Sequence, residues 1–534
     1  MAEFPTSIKF QDTGYFSKMM CDYLDRSAGM TEFYHNFPDL EGFGKQLKEK
    51  GQHYPIKFRK TLTESLRNQY RGVPISEETS KNIAYLEKGN SFTVTTGHQL
   101  NLFTGPLYFL YKIASVINLS KRLKAEFPDS EFIPIYWMAS EDHDFDEISF
   151  FNFKGHKIEW KRDAQGPVGR LSTEGLSEVL KELERYLGPG KNAESLKELF
   201  KSSYLSHDNL SQATRYLANE LFSSEGLVIV DGDDQRLKGL FAPKMKEELL
   251  QRSCFSCVSE TSDRLEKEYH VQVNPREINL FYITDELRER IIYDQGIYKV
   301  NQTSVEFSEE EILAELREHP ERFSPNALMR PLYQEVILPN LSYTGGGGEL
   351  AYWMQLKDYF RKVDTPFPIL HLRNSALLVS EKQFSKMNKL GIDPAEMFLS
   401  QNELINLKVK EISELKIDFT LERKNLQDMF ESMKQIAEKT DKSFIGAVLA
   451  QEKKQLNGLD RLEKRLLKAQ KRQYKDRVDR IKLLQDQLFP NQSLQERQAN
   501  FSEFYESFGE DLVPLILARL DPLQLEFDLI LLKS

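Results

Sequence analysis

The chain has 534 residues, of which 40% are hydrophobic and 29% are charged, as in an ordinary globular protein, and its length predicts two to four structural units. The formal net charge of −10 argues against nucleic acid or an anionic membrane as the main partner. Three cysteines are too few to cross-link a secreted fold of this size, and neither a signal peptide nor a bilayer-length apolar run is recognisable, so we expect a cytoplasmic protein.

The first part of the chain predicts helices followed by a βαβ unit. Residues 1–90 mix aromatic and charged positions at helical spacing. The β-branched run 92–96 predicts a buried strand, 107–123 an amphipathic helix with Pro106 in its first turn, and 132–138 a second buried strand. This order is typical of a parallel sheet.

Later segments extend this sheet and decorate it. Residues 227–231 and 367–371 predict further buried strands, and 235–250 predicts a helix. In four segments apolar and polar residues alternate, as they do in antiparallel strands: 157–160, 280–283, 291–293 and 297–300. A turn is predicted at 294–296. We interpret them as insertions into the core.

A helical arm is expected from about Leu404 to Leu488, where Lys, Glu, Gln, Arg and Leu dominate. Residues 440–443 interrupt the pattern, which predicts an antiparallel hairpin whose second helix is about 65 Å long. We expect this arm to project and to pair with another chain; a solvated arm without a partner is the alternative. The final stretch, 512–532, is apolar. Apolar and polar residues alternate in it before Leu529, which favours a strand that returns to the core.

Polar residues follow the first two predicted strands. Thr96-Gly97-His98-Gln99 leaves a strand end, where ligands bind in open α/β sheets, and resembles the Gly-His turn of nucleotidyl-transferring enzymes of the HIGH type. His98 offers a group whose charge can change near neutral pH. After the next strand, Asp142-His143-Asp144 could recognise an ammonium group or hold Mg²⁺, or could simply cap a helix.

Four consecutive glycines, residues 345–348, precede a helix-like segment and are costly to order. A backbone nest for anions is one interpretation and a flexible hinge is the other. The sequence matches neither a P-loop nor a dinucleotide fingerprint. Upstream, Arg330 could bind a carboxylate or phosphate in bidentate fashion.

Four long strings carry a resemblance that runs in one order along the whole chain. They are TTGHQLNLFTGPLYFLYKIASVINL, FIPIYWMASEDHDFDEI, FSPNALMRPLYQEVILPNLSYTGGGGELAYWMQL and FPNQSLQERQANF. They closely resemble the cysteine ligases assigned to bacillithiol synthesis, the BshC family.

The resemblance implies an α/β fold with a Rossmann-like parallel-sheet core, inserted connecting-peptide segments and a long antiparallel coiled-coil arm through which two copies dimerise. We place the core at 1–385, with insertions at about 150–225 and 255–330, the arm at 386–490, and a returning segment at 491–534. The implied activity is the last pathway step, in which cysteine is joined to glucosaminyl-malate by an amide bond. A non-catalytic scaffold that binds a nucleotide or sugar-malate and assembles through its coiled coil is the alternative.

Site residues follow from the motifs and the resemblance together. We expect catalytic roles for His98, Asp142 and His143. Substrate-binding roles are expected for Thr96, Gly97, Gln99, Asn101, Gly105, Asp144, Arg330, Tyr343, Gly346, Gly347 and Glu349. The family's separate adenine-nucleotide site, for ATP or ADP, is expected at Trp353, Gln495, Arg497, Asn500 and Tyr505. Mg²⁺ is a further candidate cofactor, and no protein side chains are assigned to a metal.

Overall fold

A computed structural model describes residues 6–415, 417–440 and 442–533. Its contacts divide the chain into two units. The core unit comprises Thr6–Leu377 and Gln495–Ile530, and the arm unit comprises Leu378–Leu494 with Leu531–Lys533. No helix among the described residues is both long and apolar enough to cross a membrane.

The strands and helices are numbered in chain order. The strands are β1 Ser7–Ile8, β2 Ser91–His98, β3 Glu131–Met138, β4 Phe150–Phe153, β5 His156–Glu159, β6 Val228–Asp231, β7 Leu280–Ile283, β8 Arg288–Asp294, β9 Ile297–Val300, β10 Glu306–Phe307, β11 Phe323–Pro325, β12 Asn340–Gly345, β13 Ile369–Leu372, β14 Ala376–Ser380 and β15 Phe527–Leu532. The helices are α1 Phe10–Thr13, α2 Lys18–Leu24, α3 Leu40–His53, α4 Ile56–Gln69, α5 Glu77–Tyr85, α6 Tyr108–Glu126, α7 Phe145–Ile148, α8 Leu176–Glu184, α9 Lys191–Phe200, α10 Leu210–Phe222, α11 Gln235–Gln251, α12 Ser253–Leu265, α13 Glu309–Glu318, α14 Arg330–Ile337, α15 Gly347–Trp353, α16 Lys357–Lys362, α17 Glu381–Leu390, α18 Gln401–Ile412, α19 Thr420–Ala437, α20 Lys442–Gln473, α21 Lys475–Leu488, α22 Gln495–Gln498, α23 Phe501–Phe508 and α24 Leu512–Arg519.

A five-stranded parallel sheet forms the centre of the core unit, in the order β13-β12-β2-β3-β6. This confirms the predicted α/β class and the βαβ unit made by β2, α6 and β3. Helices α3 and α6 cover the sheet through a cluster of buried apolar side chains that includes Phe43, Val94, Leu119, Leu123 and Leu341. Each such side chain contributes about 1.5–3 kcal/mol through its burial.

Strand β12 was not predicted, although it lies inside the sheet, between β13 and β2. Its polar side chains concealed it, because a fully buried strand normally reads as an apolar run. Here the buried polar groups satisfy one another: Thr93 and Thr95 both donate to Asn340 Oδ1, at 3.1 and 2.8 Å. Thr96 Oγ1 donates to the carbonyl of Thr344 at 2.7 Å.

The segments predicted as antiparallel strands are confirmed. Strands β4 and β5 form a hairpin, and β10-β9-β8-β7-β11 form a second sheet. The β8–β9 turn has positive φ at Gln295 (50°) and Gly296 (91°), the backbone that a tight hairpin turn requires. Strand β8 carries Arg288, which this sheet brings to the site described below.

The C-terminal stretch is only partly the predicted strand. Residues Leu512–Arg519 form helix α24, and the strand is confined to Phe527–Leu532. Strand β15 pairs antiparallel with β1, with Asp528 opposite Ser7.

In the arm unit, α19 and α20 form the predicted hairpin. Two ion pairs show that the helices are antiparallel: Arg423–Asp460 at 2.6 Å and Lys434–Glu452 at 2.9 Å. The later residue on α19 pairs with the earlier residue on α20. The predicted break at 440–443 includes Asp441, which lies outside the described residues.

The predicted helix of about 65 Å is wrong. Helix α20 has 32 residues and so spans about 48 Å. It ends before Tyr474, whose φ of −98° and ψ of 30° separate it from α21. The amino-acid composition around Tyr474 does not indicate this break between α20 and α21.

Candidate active site

A cleft of about 790 Å³ opens at the carboxyl ends of β2, β3 and β12, the edge where open α/β sheets bind ligands. The inserted sheet supplies its opposite wall through Phe281, Arg288 and Arg290. Of the residues predicted for the site, the cleft is lined by Gly97, His98, Gln99, Asp142, His143, Arg330, Tyr343, Gly346, Glu349 and Arg497.

His98 ends β2 and is almost completely buried. Burial, and next the positive charge of Lys112, lowers the pKa of this imidazole to about 3. The ring is therefore neutral at physiological pH, contrary to the expectation that its charge changes near neutrality. Its Nε2 has no hydrogen-bond partner among the described residues. His98 thus presents a neutral imidazole edge at the cleft wall.

Glu349 organises the strand-to-helix turn that contains the four glycines. Its carboxylate accepts hydrogen bonds from Tyr343 Oη at 2.7 Å and from the Gly346 N–H at 2.9 Å, and Lys112 Nζ lies 2.6 Å away. Burial alone would raise the pKa of Glu349, but Lys112 and these donors outweigh it and hold it at about 2. Lys112 also donates to the Gly97 carbonyl at 2.6 Å, so it links the end of β2 to α15.

The glycine run forms the junction between β12 and α15. Gly345 ends β12, Gly346 is the N-cap of α15, and Gly347 and Gly348 lie in its first turn. The Gly346 N–H is already bonded to Glu349, so an external anion would have to displace that carboxylate. A Cβ on Gly347 would lie 2.9 Å from Met20 Cγ, which explains the bare backbone at that position by packing.

Arg330 is the first residue of α14 and lies beside the rings of Tyr343 and Trp353. Its Nη1 donates to Gln334 Oε1 at 3.1 Å, and its guanidinium also interacts with Tyr352, whereas Nη2 is buried without a well-formed hydrogen bond among the described residues. A partly buried guanidinium with such an Nη2 favours a carboxylate or phosphate ligand.

A polar chain behind Arg330 holds it in place. Gln334 Nε2 donates to Glu335 Oε1 at 3.1 Å, and Glu335 Oε2 pairs with Lys50 Nζ at 3.1 Å. All three of these side chains are buried. Because Gln334 must present Nε2 to Glu335, its Oε1 is directed to Arg330.

The acidic end of the cleft is built from Asp142, His143 and Arg288. Asp142 accepts from Gln99 Nε2 at 2.9 Å and from the His143 N–H at 2.8 Å. Burial would raise the pKa of Asp142, but bonds from His143 and Gln99 and the charge of Arg288 hold it below its ordinary range. Neighbouring Glu141 is paired with buried Lys238 at 2.6 Å, so Asp142 carries the available negative charge.

Several predicted residues lie away from the cleft. Asp144 caps α7, which fits the helix-cap interpretation of this acidic run. Thr96 is buried between strands and Gly347 packs on Met20. Trp353 is buried and stacked on Tyr343, with ring centroids 4.4 Å apart.

Residues 495–505 enter the core unit as α22 and α23. Asn500 donates to the carbonyls of Phe103 and Gly105 and accepts from Ser502, so both ends of its amide are used within the protein. Tyr505 packs edge-on against Phe501, and Gln495 is buried. Arg497 is exposed and lines the cleft, and it alone of the five residues predicted for the nucleotide does so.

A smaller pocket of about 140 Å³ lies beside the cleft and shares Arg497 with it. Two further predicted residues, Asn101 and Gly105, line this pocket and not the cleft. Its remaining walls are Pro106, Glu147, Phe150, Phe151, Asn152 and Gln498.

Sequence reasoning missed the cleft residues Lys112, Arg288 and Arg373. Lys112 interrupts the apolar face of α6, a signal that could have been used. Arg373 forms a buried bidentate pair with Glu496, at 2.7 and 3.1 Å. Arg288 comes from an inserted strand far along the chain, and no local pattern indicates its contact with His143.

Comparisons with known proteins agree along the whole chain. Residues 5–374 match the model described as "Bacillithiol biosynthesis BshC, N-terminal Rossmann-like domain", and residues 376–532 match the C-terminal coiled-coil domain of the same family. A relative from Christiangramia forsetii is 55% identical over 98% of this chain and 99% of its own length. Relatives from Flavobacterium johnsoniae (54%, covering 98% and 99%) and Cytophaga hutchinsonii (38%, covering 96% of each chain) are also similar. All three carry the provisional name of cysteine ligase BshC.

Proposed function

This chain belongs to the BshC family of bacillithiol biosynthesis, and we propose that it is the ligase that joins cysteine to glucosaminyl-malate by an amide bond in the last step of that pathway. The observation that carries the proposal is the charge distribution in one cleft. A cationic wall of Lys112, Arg330 and Arg373 and the carboxylate of Asp142 line the same cleft. A substrate that carries carboxylates at one end and an amine at the other matches that distribution of charge.

The cationic wall suits the malate part of the substrate. Arg330 has a buried donor, Nη2, without a well-formed hydrogen bond among the described residues. Lys112 and Arg373 are already paired with Glu349 and Glu496. Arg330 is therefore the side chain we assign to the malate carboxylates.

The acidic end suits the glucosamine amine. Asp142 is ionised at neutral pH, because its pKa lies below the ordinary range, and an ammonium group would be attracted to it. Before the amine can attack an acyl carbon it must lose a proton. Asp142 orients the amine in this scheme, and we place the acyl group beside the neutral imidazole of His98, whose Nε2 has no other partner among the described residues.

A carboxylate does not acylate an amine at neutral pH unless it is activated. We propose that ATP converts the cysteine carboxylate to an adenylate, releasing pyrophosphate, or to an acyl phosphate, releasing ADP; the amine then displaces AMP or phosphate. Of the residues expected to hold the nucleotide, Arg497 alone lines the cleft. Asn500 fits poorly because both ends of its amide are bonded within the protein. Mg²⁺ would accompany the nucleotide phosphates.

Pairing of two copies through the arm is a further part of the proposal. Leu421 and Ile436 on α19 and Leu462 on α20 are exposed apolar side chains on the hairpin. Burying them against a second copy would be favourable. Light scattering coupled to size exclusion should give twice the chain mass, whereas a monomer at micromolar concentration would contradict this part.

The activity test uses purified protein with ATP, L-cysteine and glucosaminyl-malate. Mass spectrometry should detect the amide product together with ADP or AMP, and omission of any one substrate should abolish it. The His98→Ala variant should lose product formation while keeping its fold. Product formation that survives this substitution would remove His98 from the mechanism. Absence of product and of nucleotide turnover in the wild type would favour a non-catalytic binding protein.

A further inference from the structure

We propose that the smaller pocket beside the cleft binds a small zwitterionic α-amino acid, which is cysteine if the proposed ligase function holds. The identity of the amino acid rests on that function, whereas the pocket's selectivity for a small zwitterion does not.

Size restricts what this pocket can hold. Its volume of about 140 Å³ is well below the roughly 300–1,000 Å³ of sites for drug-sized ligands. A nucleotide or a sugar-malate conjugate would not fit, and the 790 Å³ cleft is available for those. An amino acid with a short side chain remains.

The polar lining matches the two charges of an amino acid. Asn101 is 8% exposed, and its Oδ1 has no hydrogen-bond partner among the described residues. With the exposed carboxylate of Glu147, this oxygen provides acceptors for an ammonium group. Arg497 provides a guanidinium for the carboxylate.

Local backbone geometry fixes Asn101 in this position. Its Nδ2 donates to the Glu147 carbonyl at 3.2 Å, which leaves Oδ1 as the unused end of the amide. Gly105 has a φ of 62°, and a Cβ there would lie 2.5 Å from Asn101 Cβ. The chain can therefore close on Asn101 only because residue 105 is glycine.

The apolar lining suits a short side chain that ends in sulfur. Pro106, Phe150 and Phe151 form this wall, and Phe151 is buried against Phe103 with ring centroids 5.5 Å apart. Thiol and thioether sulfur make favourable contacts with aromatic rings.

The pocket is connected to the cleft at two points. Arg497 lines both, so a carboxylate held by Arg497 lies at their shared wall. Gln99 Nε2 donates both to Glu147 Oε2 at 2.8 Å and to Asp142 Oδ2 at 2.9 Å. The pocket therefore shares Arg497 with the cleft, and its acidic residue Glu147 is linked to Asp142 through Gln99.

The test is isothermal titration of the full chain with L-cysteine under reducing conditions, without ATP or sugar. The wild-type protein should bind one molecule of cysteine per chain. Asn101→Leu and Arg497→Gln should each weaken binding at least about tenfold, because each removes a partner of a charged group. Arg288→Gln, which alters the cleft and not the pocket, should stay within about twofold. L-leucine should not bind, since its side chain is larger.

No binding by the wild type at millimolar cysteine would overturn the assignment. Unchanged cysteine affinity in Asn101→Leu or in Arg497→Gln would also overturn it. So would a loss of cysteine affinity that occurs only in Arg288→Gln. Circular dichroism of each variant separates unfolding from lost contacts. If the protein binds cysteine but forms no amide, only the ligase proposal is refuted. If it forms the amide but both pocket variants, Asn101→Leu and Arg497→Gln, keep wild-type cysteine affinity, only the assignment of cysteine to this pocket is refuted.

Discussion

Arg288 Nη1 lies 2.7 Å from Nδ1 of His143. A guanidinium can only donate, so Nδ1 must accept, and the proton of the neutral imidazole resides on Nε2. His143 therefore presents an N–H to the cleft and not a free base. This modifies the catalytic role expected for His143, which becomes that of a hydrogen-bond donor to a developing negative charge.

The tautomer of His143 is directly measurable. In protein labelled with ¹⁵N at histidine, long-range correlation spectra should show Nε2–H for His143, and Arg288→Ala should convert this signal to a mixture of tautomers. We expect the same substitution to lower turnover at least about tenfold. Spectra that show Nδ1–H in the wild type would contradict the assignment.

Burial of neutral His98 makes stability depend on pH. Its folded pKa of about 3 lies below the ordinary 6.5, so between these values the unfolded chain binds a proton that the folded chain does not. Stability should fall as the pH drops through this window, by up to about 1.4 kcal/mol per pH unit. Urea unfolding from pH 7 to pH 4.5 should show a shallower dependence for His98→Gln. Equal slopes for the two proteins would show that His98 is not the cause.

The buried pair Lys50–Glu335 supports Arg330 from behind. Lys50→Met should destabilise the protein by about 3–5 kcal/mol because it leaves a buried carboxylate without its cation. The double variant Lys50→Met/Glu335→Gln should recover most of that loss. Chemical denaturation of the two single variants and the double variant gives the coupling free energy. A double variant no more stable than Lys50→Met would refute this explanation.

Two adjacent glycines provide a matched pair. Gly347→Ala places a Cβ 2.9 Å from buried Met20, whereas a Cβ on Gly348 meets nothing within 4 Å. We expect Gly347→Ala to cost about 1–3 kcal/mol through overpacking. Gly348→Ala should be neutral or stabilising by up to about 1 kcal/mol, because alanine favours helix. Thermal unfolding distinguishes them, and equal midpoints would contradict the packing explanation.

Much of the site's location could be predicted because it depends on local pattern. The apolar runs of β2 and β3 and the polar residues after each were enough to place His98 and Asp142 at one sheet edge. Strand β12 could not be predicted, since its buried polar groups are satisfied only by partners on β2. The contact between Arg288 and His143 joins residues 145 positions apart and depends on how the inserted sheet folds over the cleft. Asn101 and Gly105 were expected to bind substrate, but the turn of the chain after β2 places them in a separate pocket.

The proposed role of Arg330, in the cationic wall of the cleft, is to hold the carboxylates of the amine substrate. Steady-state kinetics of Arg330→Gln, with glucosaminyl-malate and cysteine varied in turn, measure this role. We predict that the KM for glucosaminyl-malate rises at least about tenfold, because a buried charge-assisted contact is lost, while the KM for cysteine changes less than about twofold. An unchanged KM for glucosaminyl-malate, or an equal rise for both substrates, would contradict the account.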